Sequence, residues 1–123
     1  MPTSGQLNQA IANAVVRGHR LYVGRGPTRA HAFYHHNVVV VVMENALTQG
    51  ERSLVESGRD DAVREMRHEF QQMMRRHLIK AVEELTTCHV SAALSATHIE
   101  PDVQAEVFLL DRPVPADAAL VDR

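Results

Sequence analysis

The stretch from Arg59 to Cys88 constrains this chain more than any other. Its apolar residues, Val63, Met66, Phe70, Met73, Leu78, Ala81, Val82 and Leu85, recur mostly at steps of three and four, the spacing of one helix face. At 1.5 Å per residue such a helix is roughly 40 Å long. A chain of 123 residues folds around one core, and this helix exceeds the expected diameter of such a domain. Its ends must overhang the domain or meet another chain. Asp60 and Asp61 suit the positive end of its dipole. After Met73 the stripe leaves a strict seven-residue repeat, which fits packing across a sheet better than a two-stranded coiled coil. Its basic middle, Arg75 and Arg76, is a candidate contact surface.

The segments on either side read as two hairpins and two shorter helices. Gln6 to about Gly18 is amphipathic, with Leu7, Ile11, Ala14 and Val15 on one side and Ser4 as the expected N-cap; Leu21 continues the stripe for another turn. Gly24-Arg25-Gly26-Pro27-Thr28 breaks the pattern. Arg29–Tyr34 and Val38–Met43 then read as strands joined by His35-His36-Asn37. Five consecutive valines are β-branched and continuous, as in a central strand covered on both faces or one with an inter-subunit face. Val38, Val40 and Val42 are therefore candidate interface residues. Thr48-Gln49-Gly50-Glu51 is a capping box opening a short helix that Ser57-Gly58 ends.

Beyond Thr87 the period falls to two. Val90, Ala92, Leu94 and Ala96 alternate with Ser91, Ala93 and Ser95, and Val103, Ala105, Val107 and Leu109 alternate with Gln104, Glu106, Phe108 and Leu110. Residues 97–102 form the connecting loop. The expected fold is α+β: a four-stranded, mainly antiparallel sheet from two hairpins, with an N-terminal helix, a short helix and one long helix packed on it. Residues 1–112 read as one domain. Residues 113–123 read as a loosely ordered tail.

Charge is unevenly distributed about a net of −2. Residues 1–43 hold Arg17, Arg20, Arg25 and Arg29 and no acid, whereas residues 81–123 hold eight acids against Arg112 and Arg123. Either the basic half meets an anionic partner, or the halves complement each other within the fold or between subunits. Aromatics make up 4% of the chain and tryptophan is missing, so a base-stacking surface is hard to build and no nucleic-acid partner is expected. A single cysteine, Cys88, precludes an internal disulfide and a cysteine-based zinc site. The N-terminus has no signal-peptide pattern, and Val38–Met43 is too short to span a bilayer. A soluble, cytoplasmic protein without direct membrane insertion is expected.

Eight histidines raise the question of a metal. His31, His35 and His36 are close in sequence but lie on a strand and turn, there is no HExxH, and His77 sits near the long helix's stripe as a packing residue. No metal, other cofactor or catalytic residue is expected. The loop Gly24–Thr28 combines backbone donors with a cation, the ingredients of an anion site, so Arg25, Gly26, Thr28 and the nearby His98 form a candidate ligand site. The loop is neither GxxxxGK[ST] nor GxGxxG, and a rigid turn between helix and strand is the favoured account of it.

The segments GQLNQAIANAVVR, GRGPT, VVVVVMENALTQGE, AVEELT and SATHIEPD together resemble a small bacterial family, the MpsC-like proteins, over about Gly5 to Leu110. The resemblance implies a component of a sodium-translocating, membrane-potential-generating system, and it alone implies a membrane-protein partner. It brings no catalytic residues. Where the family pattern has Ser-Asp-Asn-His-Ile-Asp-Pro-Asp, this chain has Ser95-Ala96-Thr97-His98-Ile99-Glu100-Pro101-Asp102. The lost Asp-Asn pair counts against a metal or acid–base site there. The resulting expectation is a non-enzymatic accessory protein acting as a homodimer. The alternative is a small-ligand or anion-binding regulatory domain using the GRGPT loop.

Overall fold

A computed structural model describes residues 3–115. Its elements are α1 (Ser4–Val23), β1 (Arg29–His35), β2 (Val38–Glu44), α2 (Gln49–Glu56), α3 (Asp60–Thr86), β3 (Val90–His98) and β4 (Val103–Leu110). The four strands form one fully antiparallel sheet in the order β1-β2-β4-β3, with α1 and α3 on one face; the short helix α2 packs against α3 and not, as expected, on the sheet. The fold is α+β. Of the expected tail, residues 116–123 lie outside the described residues, while Val114 packs against the core and donates its N–H to His36 O at 3.0 Å.

Local chemistry sets the helix boundaries. The N-cap of α1 is Thr3, not Ser4: Thr3 Oγ1 accepts from Gln6 N at 3.1 Å and Gln6 Oε1 accepts from Thr3 N at 2.9 Å. Ser4 has Leu7 three residues on, which cannot reach back. Gly24 closes α1 in the left-handed region at φ 92°, where glycine carries no steric penalty. Thr48 and Glu51 make the expected capping box on α2. Gly18 permits close approach of α1 and α3, because a Cβ there would stand 2.7 Å from Leu78 Cδ2.

The inward line of α3 is Val63, Arg67, Gln71, Met74, Leu78, Val82 and Thr86. This differs from the expected stripe. Met66 and Met73 are exposed, and Phe70 and Leu85 are only partly buried. Neighbouring helical residues point about 100° apart, so burying Arg67 and Gln71 rotates Met66 and Met73 outward. Leu21, which continues the stripe of α1 in sequence, is likewise exposed at 68%.

Two apolar clusters result. The larger holds Ile11, Val15, Val39, Val41, Met43, Leu78 and Phe108 with their neighbours, and the smaller holds Leu47, Val63 and Ile99. Along α3 the buried polar residues Arg67 and Gln71 lie between them.

Candidate interaction surface

Strand residues alternate between the two sheet faces. On β2, Val39, Val41 and Met43 lie fully buried beneath the helices, and Val38, Val40 and Val42 fall on the other face, half-buried. The registers Val40↔Val107, Val42↔Ala105 and Leu94↔Val107 extend that second face across the sheet. Phe33 and Leu109 join it, as do Ala92 and Ala96. A register shift between Val90 and Ala92 leaves Val90 in the core and turns Ala92, Leu94 and Ala96 onto the uncovered side.

β4 reverses the usual assignment of apolar residues to the covered side. Gln104 and Glu106 lie buried with Phe108 and Leu110 beneath the helices, while Val103, Ala105, Val107 and Leu109 face outward. Apart from Arg29 and Glu44, which approach to 3.8 Å at one end, the outward face carries no Lys, Arg, Asp or Glu. Strands about 4.8 Å apart and seven residues long at about 3.3 Å each make a surface of roughly 20 by 23 Å. His31, His35 and His98 share its β1 edge and one end with Arg29 and Glu44, and the centre, from Phe33 through Val40 and Val107 to Leu94, is apolar; contiguous apolar patches mark interaction sites on soluble proteins.

The covered side tolerates its polar residues because most of their groups find partners. Ser95 Oγ donates to Glu106 Oε1, and His19 Nε2 lies 3.3 Å from Glu106 Oε2. Gln71 Nε2 donates to Thr97 Oγ1 at 2.9 Å, and Thr97 Oγ1 donates to Gln104 Oε1 at 3.1 Å. Arg67 forks onto Glu51 through Nε and Nη2 at 2.8 and 2.7 Å, and Nη2 also reaches Ala46 O at 2.7 Å. Burial alone would raise the Glu51 carboxyl. The Arg67 guanidinium and the Thr48 N–H outweigh that and hold it below its ordinary value. His19 Nδ1, Gln104 Nε2 and Arg67 Nη1 are buried without a partner.

Arg25, Gly26, Thr28 and His98 lie at the end of the sheet where β2 ends and β4 begins. Arg25 Nη1 donates to Leu47 O, and Thr28 N donates to Glu44 O at 3.2 Å. Gly26 packs against the Arg20 side chain. His98 is exposed at the close of β3, with Nδ1 2.8 Å from Pro101 O. Beside them Asp102 accepts from Leu47 N at 3.0 Å and approaches Arg52 at 3.5 Å. A hollow of about 180 Å³ is lined there by Leu47, Arg52, Glu56, Ile99, Glu100 and Asp102, and none of the four candidate residues lines it. Arg75 is half-buried and Arg76 exposed on α3. Among the described residues no three His, Cys, Asp or Glu side chains are placed to hold a metal ion.

A family profile described as "Na+-translocating membrane potential-generating system (MpsC)" matches residues 3–112. The chain belongs to the MpsC family. Neither the curated proteins nor the solved structures include a match. Among the described residues no helix of this MpsC protein is long and apolar enough to cross a membrane.

His19 and the inward pair Gln104 and Glu106 escaped the sequence reading. The signal was present in the strict alternation of β4, but nothing in that alternation says which set faces the helices. His77, read as a packing residue, is exposed and meets Tyr22 edge-on with centroids 5.9 Å apart.

Proposed function

We propose that the chain is a non-catalytic interaction component of the MpsC type, a soluble cytoplasmic protein whose copies pair through the uncovered sheet face. The observation that carries this reading is the inversion on β4. Val103, Ala105, Val107 and Leu109 gain nothing from facing water, while Gln104 and Glu106 need buried partners to face the helices. A second copy is the favoured occupant because the face is uncharged over most of its area. It can oppose itself about a two-fold axis without like-charge repulsion. Val38, Val40 and Val42 would lie in the contact.

Sedimentation equilibrium at micromolar concentration tests the pairing. The wild-type chain is expected to sediment as a dimer and Val40→Asp as a folded monomer. A wild-type chain that is strictly monomeric counts against the pairing. The anion-binding alternative has less support, because the Arg25 guanidinium is already engaged by Leu47 O. Thermal-shift screening with nucleotides, phosphates and metal ions separates the two readings, since only the ligand-binding one expects a raised melting temperature.

A further inference from the structure

The helix layer carries a second surface of a different kind. Arg17, Arg20 and Leu21 share one face of α1 at spacings of three and four, and Met73, Arg76 and Lys80 share the outer face of α3 at spacings of three and seven. The two sets line hollows that meet at His77: Arg17, Arg20 and Leu21 on one side, Met73, Arg76 and Lys80 on the other. Among the described residues none of these four cations makes an ion pair. Leu21 and Met73 are 68% and 59% exposed, although each continues an apolar period of its helix. The described part of α1 contains no acid at all. Glu84 lines a neighbouring hollow with Arg17 and His77 without pairing to Arg17, and Glu69 lies one turn before Met73.

We propose that this surface docks the protein on an anionic bilayer, with the four cations against lipid phosphates and Leu21 and Met73 entering the headgroup layer. Basic residues flanking exposed aliphatic tips on helices lying in one layer are what an interfacial site requires. A nucleic-acid backbone would answer the cations but leave the two apolar tips without a partner. The net charge of −2 means that attraction of the whole chain to an anionic surface cannot account for such binding. The association is peripheral and reversible, and it is independent of pairing through the sheet.

Co-sedimentation with phosphatidylcholine vesicles, with and without phosphatidylglycerol, tests the proposal. Binding is expected only when phosphatidylglycerol is present, and is expected to fall as salt rises. Each cation contributes about fivefold, so Arg17→Gln with Arg76→Gln should weaken binding about 25-fold. Neither residue has an ion partner to lose, and an unchanged melting curve checks that the variant is folded. Arg29→Gln removes one positive charge from the sheet side of the molecule and should leave vesicle binding unaltered, against about a fivefold loss for Arg17→Gln or Arg76→Gln alone. Leu21→Ser should weaken the part that survives high salt. Three results overturn the proposal: no phosphatidylglycerol-dependent binding at low salt, binding that the double variant retains, or a loss in Arg29→Gln as large as in Arg17→Gln or Arg76→Gln alone. The first would leave an acidic protein segment as the partner of these cations.

Discussion

Along β4 the side under the helices carries Gln104, Glu106, Phe108 and Leu110, and the uncovered side carries Val103, Ala105, Val107 and Leu109. By composition alone the two would be exchanged. The difference shows that the covered side is specified by pairing as much as by apolarity. Each polar residue there is tied to a particular partner on another element: Glu106 to His19 and Ser95, Gln104 to Thr97, Arg67 to Glu51. Apart from the exposed Arg29–Glu44 approach at one end, the uncovered side has no such ties. It offers area and shape only, which suits a contact made after folding.

The comparison breaks most easily at Arg67. Removing the guanidinium in Arg67→Ala leaves the buried Glu51 carboxylate without a counter-charge, held only by the Thr48 N–H, which should cost about 3–5 kcal/mol. Urea denaturation measures this directly. A loss below about 1 kcal/mol would mean that the pair is incidental and that the covered side is held by apolar packing alone.

The same pair makes a prediction about acid. Glu51 titrates below its ordinary value of 4.5 in the folded chain. The unfolded chain therefore takes up the proton first, and the Glu51 contribution is fully present above 4.5 and lost as pH falls through the depressed folded value. The urea midpoint of the wild type should drop steeply below that pH. In Glu51→Gln the midpoint starts lower and its acid drop is shallower. Parallel pH profiles for the two proteins would show that other carboxylates set the acid limit.

Much of this architecture was legible beforehand, and the reasons differ by element. Thr48 and Glu51 sit at capping-box spacing and form one, because that motif closes its own hydrogen bonds locally. The two hairpins followed from alternation and turn residues, which are also local. The orientation of α3 about its own axis was not legible. Periodicity placed Met66 and Met73 inward, whereas the buried line runs through Arg67 and Gln71, whose partners Glu51 and Thr97 lie elsewhere in the chain. The direction of β4 was hidden for the same reason: its strict alternation defines two faces, and the partners of the covered polar pair, His19, Ser95 and Thr97, lie on other elements. The Val38, Val40 and Val42 set was legible as a shared face but not as part of one extending over Val107 and Leu94. Long-range pairing that decides between two acceptable patterns leaves no mark in a local window.

The smallest effect is expected at Leu109, one residue from Phe108 and on the opposite side of the sheet. In dilute solution Leu109→Ser should change stability by no more than about 0.5–1 kcal/mol, because the side chain is already 42% exposed and makes no tie across the covered layer. Concentration separates the two conditions of this face. If copies pair through it, mass action stabilises the wild type as concentration rises, and its melting temperature climbs. Leu109→Ser would blunt that climb while leaving the dilute melting temperature almost unchanged. Thermal scans at low and high protein concentration therefore give a difference of differences. A wild-type melting temperature that ignores concentration means the uncovered face stays free of a second copy, whereas a large loss in Leu109→Ser at every concentration means Leu109 belongs to the core of a single protomer. Only a small dilute loss that grows with concentration assigns one side of the sheet to folding and the other to association.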